Sequence, residues 1–170
     1  LGVDRIDSYL LHGPSRADGF GPDDWKAWRA MEKIYAGGRA SLLGVSNVST
    51  DQLEVLCRAA KVKPHFVQNR CFAVTGWDRA VRNFCNTRGI VYQGFSLLTA
   101  NRGVMSSPQL ATLAQRHHCS VPQVIFRFAI EVGMIPLTGT TDAQHMSDDL
   151  RVLDLKLLPH EVAIIDQIAG

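Results

Sequence analysis

Cysteine is scarce in this chain. Cys57, Cys71, Cys85 and Cys119 are the four present, and no two of them form a C-x-x-C pair. Zinc-ribbon and thioredoxin-type motifs are thereby excluded, and the spacing suits one thiol per structural unit better than a disulfide framework. Reduced, partly buried thiols in a cytoplasmic protein are the expectation. An excess of either charge is also missing. Lys and Arg number 18 against 16 Asp and Glu, a net charge of +2, which gives a nucleic-acid partner no electrostatic footprint. No uninterrupted apolar run reaches the roughly 18 residues of a membrane-spanning helix. The opening "LGVDRIDSYLL" has no initiator Met, no basic n-region and no small-residue cleavage site. It does not read as a secretory signal, and it suggests the inside of a longer chain. No Asn-Gly hairpin signal occurs.

What is present is an ordinary globular mixture, 46% apolar and 20% charged over 170 residues, enough for one domain with its own core. Apolar runs recur and each leads into a helical pattern. The first, Ile6 to Leu11, reads as a buried strand that ends in His12. In "GPDDWKAWRAMEKIYAGG", Pro22 suits a first helical turn, Asp23 and Asp24 complement the N-terminus, and Gly37 and Gly38 end the helix. Trp25, Trp28, Met31 and Ile34 form its core stripe. "SLLGVS" is a second strand, followed by a helix with capping-box spacing at Ser49 and Gln52. A third strand in "HFVQN" precedes a helix from about Asp78 to Arg88. A fourth, Ile90 to Phe95, precedes "SPQLATLAQRHH" and "SVPQVIFRFAIEVG", the latter with Ser120 as N-cap. "MIPL" is a fifth strand, followed by "DAQHMSDDLRVLD" and a helix from Pro159.

Alternating strands and helices imply a parallel α/β sheet with right-handed crossovers. An open doubly wound sheet and a (β/α)₈ barrel compete. The first strand is not followed by the G-x-G-x-x-G of a Rossmann sheet, and a barrel needs about 250 residues and eight units where this chain offers five. Polar groups gather where the strands finish: His12, then Ser46 and Asn47, Gln68 and Asn69, Phe95 and Ser96, and Thr138 to Thr141. The carboxyl ends of parallel strands share a ligand-binding rim. "RHHCS" places His117, His118 and Cys119 on diverging helical directions, so no metal site is expected. "TGTT" lacks the Gly-Lys-Ser/Thr of a phosphate loop.

The set "DRIDSYLLHGP", "LLGVSNVSTDQLEVL", "KPHFVQNRCF", "GIVYQGFSLLTAN" and "IPLTGTTDAQHMSDDLRVLDLKL" resembles the aldo-keto reductases, in the family's order. The resemblance covers the later half to two-thirds of that family's chain, from about its fourth barrel strand to its eighth. It implies a TIM-barrel type, partial barrel of about five β/α units within a single domain, 1–170, and an NAD(P)H-dependent oxidoreductase that reduces aldehydes, ketones or sugars. By the same resemblance, His12 orients the substrate carbonyl. Ser46, Asn47 and Gln68 hydrogen-bond the nicotinamide carboxamide, and Phe95 replaces the ring that stacks on the nicotinamide. Ser96 and Leu98 fall at the pyrophosphate. Gly139, Thr140 and His145 fall around the adenosine 2′-phosphate, and Asp148 and Asp149 near the adenine.

Two departures from the family matter. Its frequent Lys-Ser reads here as Gly139-Thr140, and a frequent arginine reads as His145. Two charge-assisted contacts of about 1.5–3 kcal/mol each are lost or weakened. NADPH is the expected coenzyme and NADH the alternative. The family's Asp, Tyr and Lys have no counterpart, and Tyr9, Tyr35 and Tyr92 do not replace the tyrosine acid. The isolated chain is expected to be inactive, with a catalytically inactive cofactor-binding pseudoenzyme or regulatory subunit as the alternative reading. A small carbonyl compound is the expected partner, with neither nucleic acid nor membrane; open sheet edges are expected to promote association.

Overall fold

Five strands alternate with helices along the chain, seen here in a computed structural model that describes residues 2–169. In order these are β1 (Ile6–Leu11), α1 (Pro22–Ala36), β2 (Ala40–Ser46), α2 (Thr50–Ala59), β3 (Phe66–Arg70), a 3₁₀ turn (Ala73–Thr75), α3 (Arg79–Asn86), β4 (Val91–Phe95), α4 (Arg102–Met105), α5 (Pro108–Arg116), α6 (Val121–Glu131), β5 (Met134–Pro136), α7 (Ala143–Arg151) and α8 (Pro159–Asp166). The strand order is β1-β2-β3-β4-β5, the sequence order, as repeated right-handed crossovers in one direction require. The chain forms two compact units. One is built from the residues up to Asn69 together with Asn83–Tyr92, the other from Arg70–Arg82 and the residues from Gln93 onward. Among the described residues no helix is long and apolar enough to cross a membrane.

In the first unit β1 and β2 run parallel with Ile6 opposite Ala40 and Leu11 opposite Val45. β2 and β3 run parallel with Gly44 opposite Phe66 and Ser46 opposite Gln68. This register brings three strand ends level. The core is Trp28 and Met31 of α1, Leu43 and Val45 of β2, Leu53 and Leu56 of α2, and Val67 of β3. The expected stripe on α1 is only half realised, since Trp25 and Ile34 remain partly accessible. β1 departs from its reading as a buried strand: Asp7, Ser8 and Tyr9 are exposed, and Ile6 and Leu11 only partly covered. As the end member of the strand order it has β2 on one side, and hydropathy alone does not reveal strand order. An isolated antiparallel bridge between Arg16 and Gly19 closes a turn over Ala17 and Asp18.

The caps fall where local chemistry puts them. Ser49 Oγ accepts from the N–H of Gln52 at 3.3 Å while Gln52 Oε1 accepts from the N–H of Ser49 at 2.8 Å. Gly38, at φ +71°, ends α1 in a conformation that costs a side-chain-bearing residue free energy. α3 begins one residue later than expected because Trp77 and Asp78 both sit at φ 56°, outside the helical region.

Gly44, mid-strand in β2, answers to space rather than to φ. A Cβ there would lie 2.8 Å from Leu10 Cγ and 3.0 Å from both the Cβ and the carbonyl oxygen of Phe66. Gly44→Ala is therefore expected to destabilise the chain by about 2 kcal/mol through overpacking, read as a lower urea midpoint at unchanged m-value. An unchanged midpoint would show that β1 and β3 yield easily at this point.

In the second unit α6 buries Val124, Ile125, Phe126, Phe128 and Ala129, a face wide enough to form the centre of a core. Trp77 packs against Phe128 with ring centroids 5.2 Å apart and donates from Nε1 to the carbonyl of Ile165 at 2.8 Å. Arg79 and Arg82 both reach Asp166, at 2.7 and 3.0 Å. Glu161, fully buried in α8, accepts from Arg116 Nη1 and from the N–H of Leu158, both at 2.9 Å, and lies 2.9 Å from His117 Nε2. His117 thus has a structural partner, which accounts for one member of "RHHCS".

Candidate active site

In the first unit the level strand ends place His12, Ser46, Asn47 and Gln68 together. His12 follows β1 and is exposed, and its carbonyl accepts from Asn47 Nδ2 at 2.9 Å. That bond commits the donor end of the Asn47 amide and leaves Oδ1 with no partner among the described residues. The Asn47 N–H donates to the carbonyl of Gln68 at 3.1 Å. Ser46 is buried, and its hydroxyl donates to the same carbonyl at 2.6 Å. Ser46 therefore fixes β2 to β3 at the strand ends, and its proton is already used. Asn47 sits at φ 52°, a left-handed conformation asparagine tolerates better than most residues. Asn69, also buried, holds this turn in place: Oδ1 accepts from the N–H of Val48 at 3.0 Å and Nδ2 donates to its carbonyl at 2.8 Å.

The loop after His12 is tied down from two sides. Asp24, three residues past the N-cap of α1, accepts from the N–H of Gly21 at 2.7 Å and from the N–H and hydroxyl of Ser15, both at 2.9 Å. Burial pushes the Asp24 carboxyl up, but the Gly21 and Ser15 donors outweigh it and hold it below the ordinary carboxylate range. Gln52 Nε2 donates to the carbonyl of Arg16 at 2.9 Å.

In the second unit a cavity of about 310 Å³ gathers Leu98, Gly139, Thr140, His145, Asp148 and Asp149, six of the residues named for the cofactor. Its volume is at the low end of small-ligand sites, about 300–1,000 Å³. Thr138 Oγ1 donates to Asp149 Oδ2 at 2.9 Å. Asp148 Oδ1 accepts from Arg151 Nη2 at 2.8 Å and from Gln144 Nε2 at 3.1 Å. Asp142 caps α7, accepting from the N–H of Gln144 at 2.8 Å and of His145 at 3.0 Å. The His145 and Gln144 donors hold its carboxyl below the ordinary range. The N–H of Asp142 in turn donates to Thr140 Oγ1 at 3.1 Å.

Four wall residues, Ser120, Pro122, Gln123 and Phe126, were not anticipated there. They belong to the first turns of α6. The anticipated cap Ser120 closes a capping box with Gln123, and Gln123 Nε2 then reaches the carbonyl of Asp148 at 3.0 Å. A cap legible over three residues thus also joins two helices across 25 positions.

Phe95 and Ser96 end β4 in the same unit. Ser96 sits at φ 57°, the counterpart of Asn47 after β2. Asn101 fixes the turn that follows: Oδ1 accepts from the N–H of Ala73 at 2.7 Å, and Nδ2 donates to the carbonyls of Cys71 at 2.9 Å and Leu97 at 2.8 Å. Arg70, not singled out in the sequence, lies beside both site residues, with its Nε 3.4 Å from Ser96 Oγ and its guanidinium 5.9 Å from the Phe95 ring centroid. None of the four cysteines is in a disulfide, and burial pushes the Cys57 and Cys119 thiols up, away from the reactive thiolate.

Known proteins supply the comparison. The aldo/keto reductase family model matches residues 1–169. The chain is 32% identical over 168 residues to the uncharacterized oxidoreductase YtbE of Bacillus subtilis, covering 99% of this chain and 58% of that protein. It is 29% identical over 169 residues to the glyoxal reductase of the same organism, with coverage of 99% and 58%. It is 26% identical over 186 residues to an NADPH-dependent alpha-keto amide reductase of Saccharomyces cerevisiae, covering 99% of this chain and 57% of that one. The chain thus spans 58% of the length of the first of these curated relatives. Among solved structures, an aldo/keto reductase from Brucella melitensis superposes with a TM-score of 0.85 at 27% identity, covering 98% of this chain and 62% of that one. The aldo-keto reductase MGS-M4, from a deep-sea metagenome library of the Medee basin, gives a TM-score of 0.88 at 24% identity, covering 99% and 62%, a likeness of fold.

Proposed function

The chain belongs to the aldo/keto reductase family, and from that membership we propose that it carries the cofactor-binding part of an NAD(P)H-dependent carbonyl reductase. In this reading residues 1–170 are one domain, corresponding to the later portion of a (β/α)₈ barrel, and work in the cytoplasm on small aldehydes, ketones or sugars. The convergence of Leu98, Gly139, Thr140, His145, Asp148 and Asp149 on one cavity carries the reading.

The cavity fits the adenosine end of a dinucleotide. Thr140 and His145 offer polar groups for a ribose or its 2′-phosphate, Gly139 leaves open space, and Asp149 can accept from an exocyclic amine. Phe95 offers a ring face to the nicotinamide, and stacking needs no hydroxyl. Asn47 Oδ1 is the free acceptor for a carboxamide N–H. Gln68 joins it, and Ser46 Oγ, whose proton goes to the carbonyl of Gln68, keeps its lone pairs for the same carboxamide. Ser96 and Leu98 border the pyrophosphate. Bound NAD(P)H supplies the hydride for the carbonyl carbon. His12 orients the carbonyl oxygen, and the family's tyrosine acid has no counterpart among these residues. Tyr92 is buried at 2% exposure, Tyr35 packs on His65 with centroids 5.7 Å apart, and Tyr9 lies on the exposed edge strand.

Two carboxylates share the cavity with a single histidine, which opposes tight retention of a 2′-phosphate. The chain is expected to bind NADPH and NADH with affinities within about tenfold of each other, NADPH the tighter, and not to turn over a reactive aldehyde unaided. Calorimetric titration with each coenzyme tests this. Failure to bind either would overturn the reading. His145→Arg is expected to tighten NADPH by about tenfold by adding a charge-assisted contact, with little change for NADH. Equal effects on both coenzymes would place His145 away from the 2′-phosphate.

A further inference from the structure

We infer that Arg70 is a specificity-determining residue that binds the carboxylate of an anionic carbonyl substrate beside the nicotinamide platform. This rests on the assignment of Phe95 as that platform. In the second unit Arg79 and Arg82 pair with Asp166, Arg116 with Glu161, Arg127 with Glu131 and Arg151 with Asp148. Arg70 pairs with no carboxylate among the described residues, although it is exposed and could reach solvent freely. Its guanidinium instead lies near two aromatic rings, 5.9 Å from the centroid of Phe95 and 6.0 Å from that of Phe72, with Nε 3.4 Å from Ser96 Oγ.

That placement has a chemical meaning. Attraction to two ring quadrupoles at the edge of cation–π range favours this position without using most of the N–H donors. The remaining fork matches a carboxylate in the two-point geometry that makes arginine selective for planar oxyanions. A ring stacked on Phe95 would lie within a few ångströms of this cation, so an anion bound there sits next to the reacting end of the cofactor. Ser96, at φ 57° and fixed through the Asn101 turn, gives Arg70 a rigid neighbour. The substrate class this favours is a small aldehyde or ketone bearing a carboxylate.

The test uses the 170-residue chain saturated with NADP⁺, so that no reduction occurs, titrated calorimetrically with 4-carboxybenzaldehyde and with its neutral counterpart 4-methylbenzaldehyde. The carboxylated aldehyde is expected to bind about tenfold or more tightly. Arg70→Met should reduce that preference to within about twofold while leaving the NADP⁺ dissociation constant essentially unchanged. Arg70→Lys, which keeps the charge and loses the fork, should retain part of the preference. An undiminished preference in Arg70→Met would overturn the inference alone. So would a roughly tenfold weakening of NADP⁺ with the preference intact, which would give the guanidinium to the cofactor's phosphates. No NADP⁺ binding by the unaltered chain would overturn the reductase reading itself, and this inference with it.

Discussion

Asn101→Ala is expected to lower the stability of the second unit by about 3–4 kcal/mol. The side chain is 5% exposed and makes three hydrogen bonds, to the N–H of Ala73 and to the carbonyls of Cys71 and Leu97. Alanine removes all of them and leaves a buried N–H and two buried carbonyls without their partner. Each orphaned group costs about 1–3 kcal/mol, less whatever water can repair. Urea denaturation followed by tryptophan fluorescence reads the loss directly. Asn101→Asp separates geometry from volume: it keeps the acceptor for Ala73 but turns a carboxylate oxygen towards two carbonyls, so it should be no more stable than alanine. A loss below about 1 kcal/mol in Asn101→Ala would mean that the turn after β4 holds without this residue. The same substitution should also loosen Phe95 and Ser96, which immediately precede the Leu97 carbonyl, and so weaken coenzyme binding beyond what stability alone explains.

The second large effect is at Glu161. Glu161→Ala is expected to cost about 2–3 kcal/mol, somewhat less than a fully buried ion pair, because Arg116 is half exposed and can turn towards water. The more telling readout is acid sensitivity. Burial pushes the Glu161 carboxyl up, but the Leu158 N–H, His117 and Arg116 together outweigh it and hold it below its ordinary value of 4.5. The unfolded chain therefore binds the proton at a higher pH than the native chain does. Stability from this group is complete above the unfolded value and is lost as pH falls through the depressed native one. Asp24 shifts in the same direction and contributes over the same acid range. Urea midpoints measured downward from about pH 6 should fall less steeply for Glu161→Gln than for the unaltered chain. Parallel pH profiles would show that Glu161 does not titrate between the two states.

The features legible in the sequence are the short-range ones. Ser49 and Gln52, or Ser120 and Gln123, are three residues apart, and a capping box needs nothing more distant. The five strands followed from apolar runs between helical patterns, and the residues around the second-unit cavity from a family resemblance carried over position by position. What the sequence hid depends on long-range pairing. β1 looked buried because its apolar run says nothing about how many neighbours it will have. Asn101 and Arg70 looked ordinary because their meaning lies 28–30 and 26 residues away, at Ala73, Cys71 and Ser96. Ser46, expected at the nicotinamide carboxamide, also donates its hydroxyl proton to the carbonyl of Gln68, a partner 22 residues away that the sequence does not show. A polar residue at a strand end can serve the scaffold and the ligand together, since a hydroxyl that donates keeps lone pairs to accept.

The left-handed turns after β2 and β4 limit how this protein can diversify. Asn47 and Ser96 hold φ values of 52° and 57°, where a β-branched or bulky replacement would cost about 1–2 kcal/mol before touching any ligand. Drift at these two positions is confined to glycine and a few small polar side chains, so they make poor sites for acquiring a new substrate range. Directed evolution of a variant library should accumulate its productive changes instead at Arg70, which lies beside Ser96 and whose own backbone carries no such restriction.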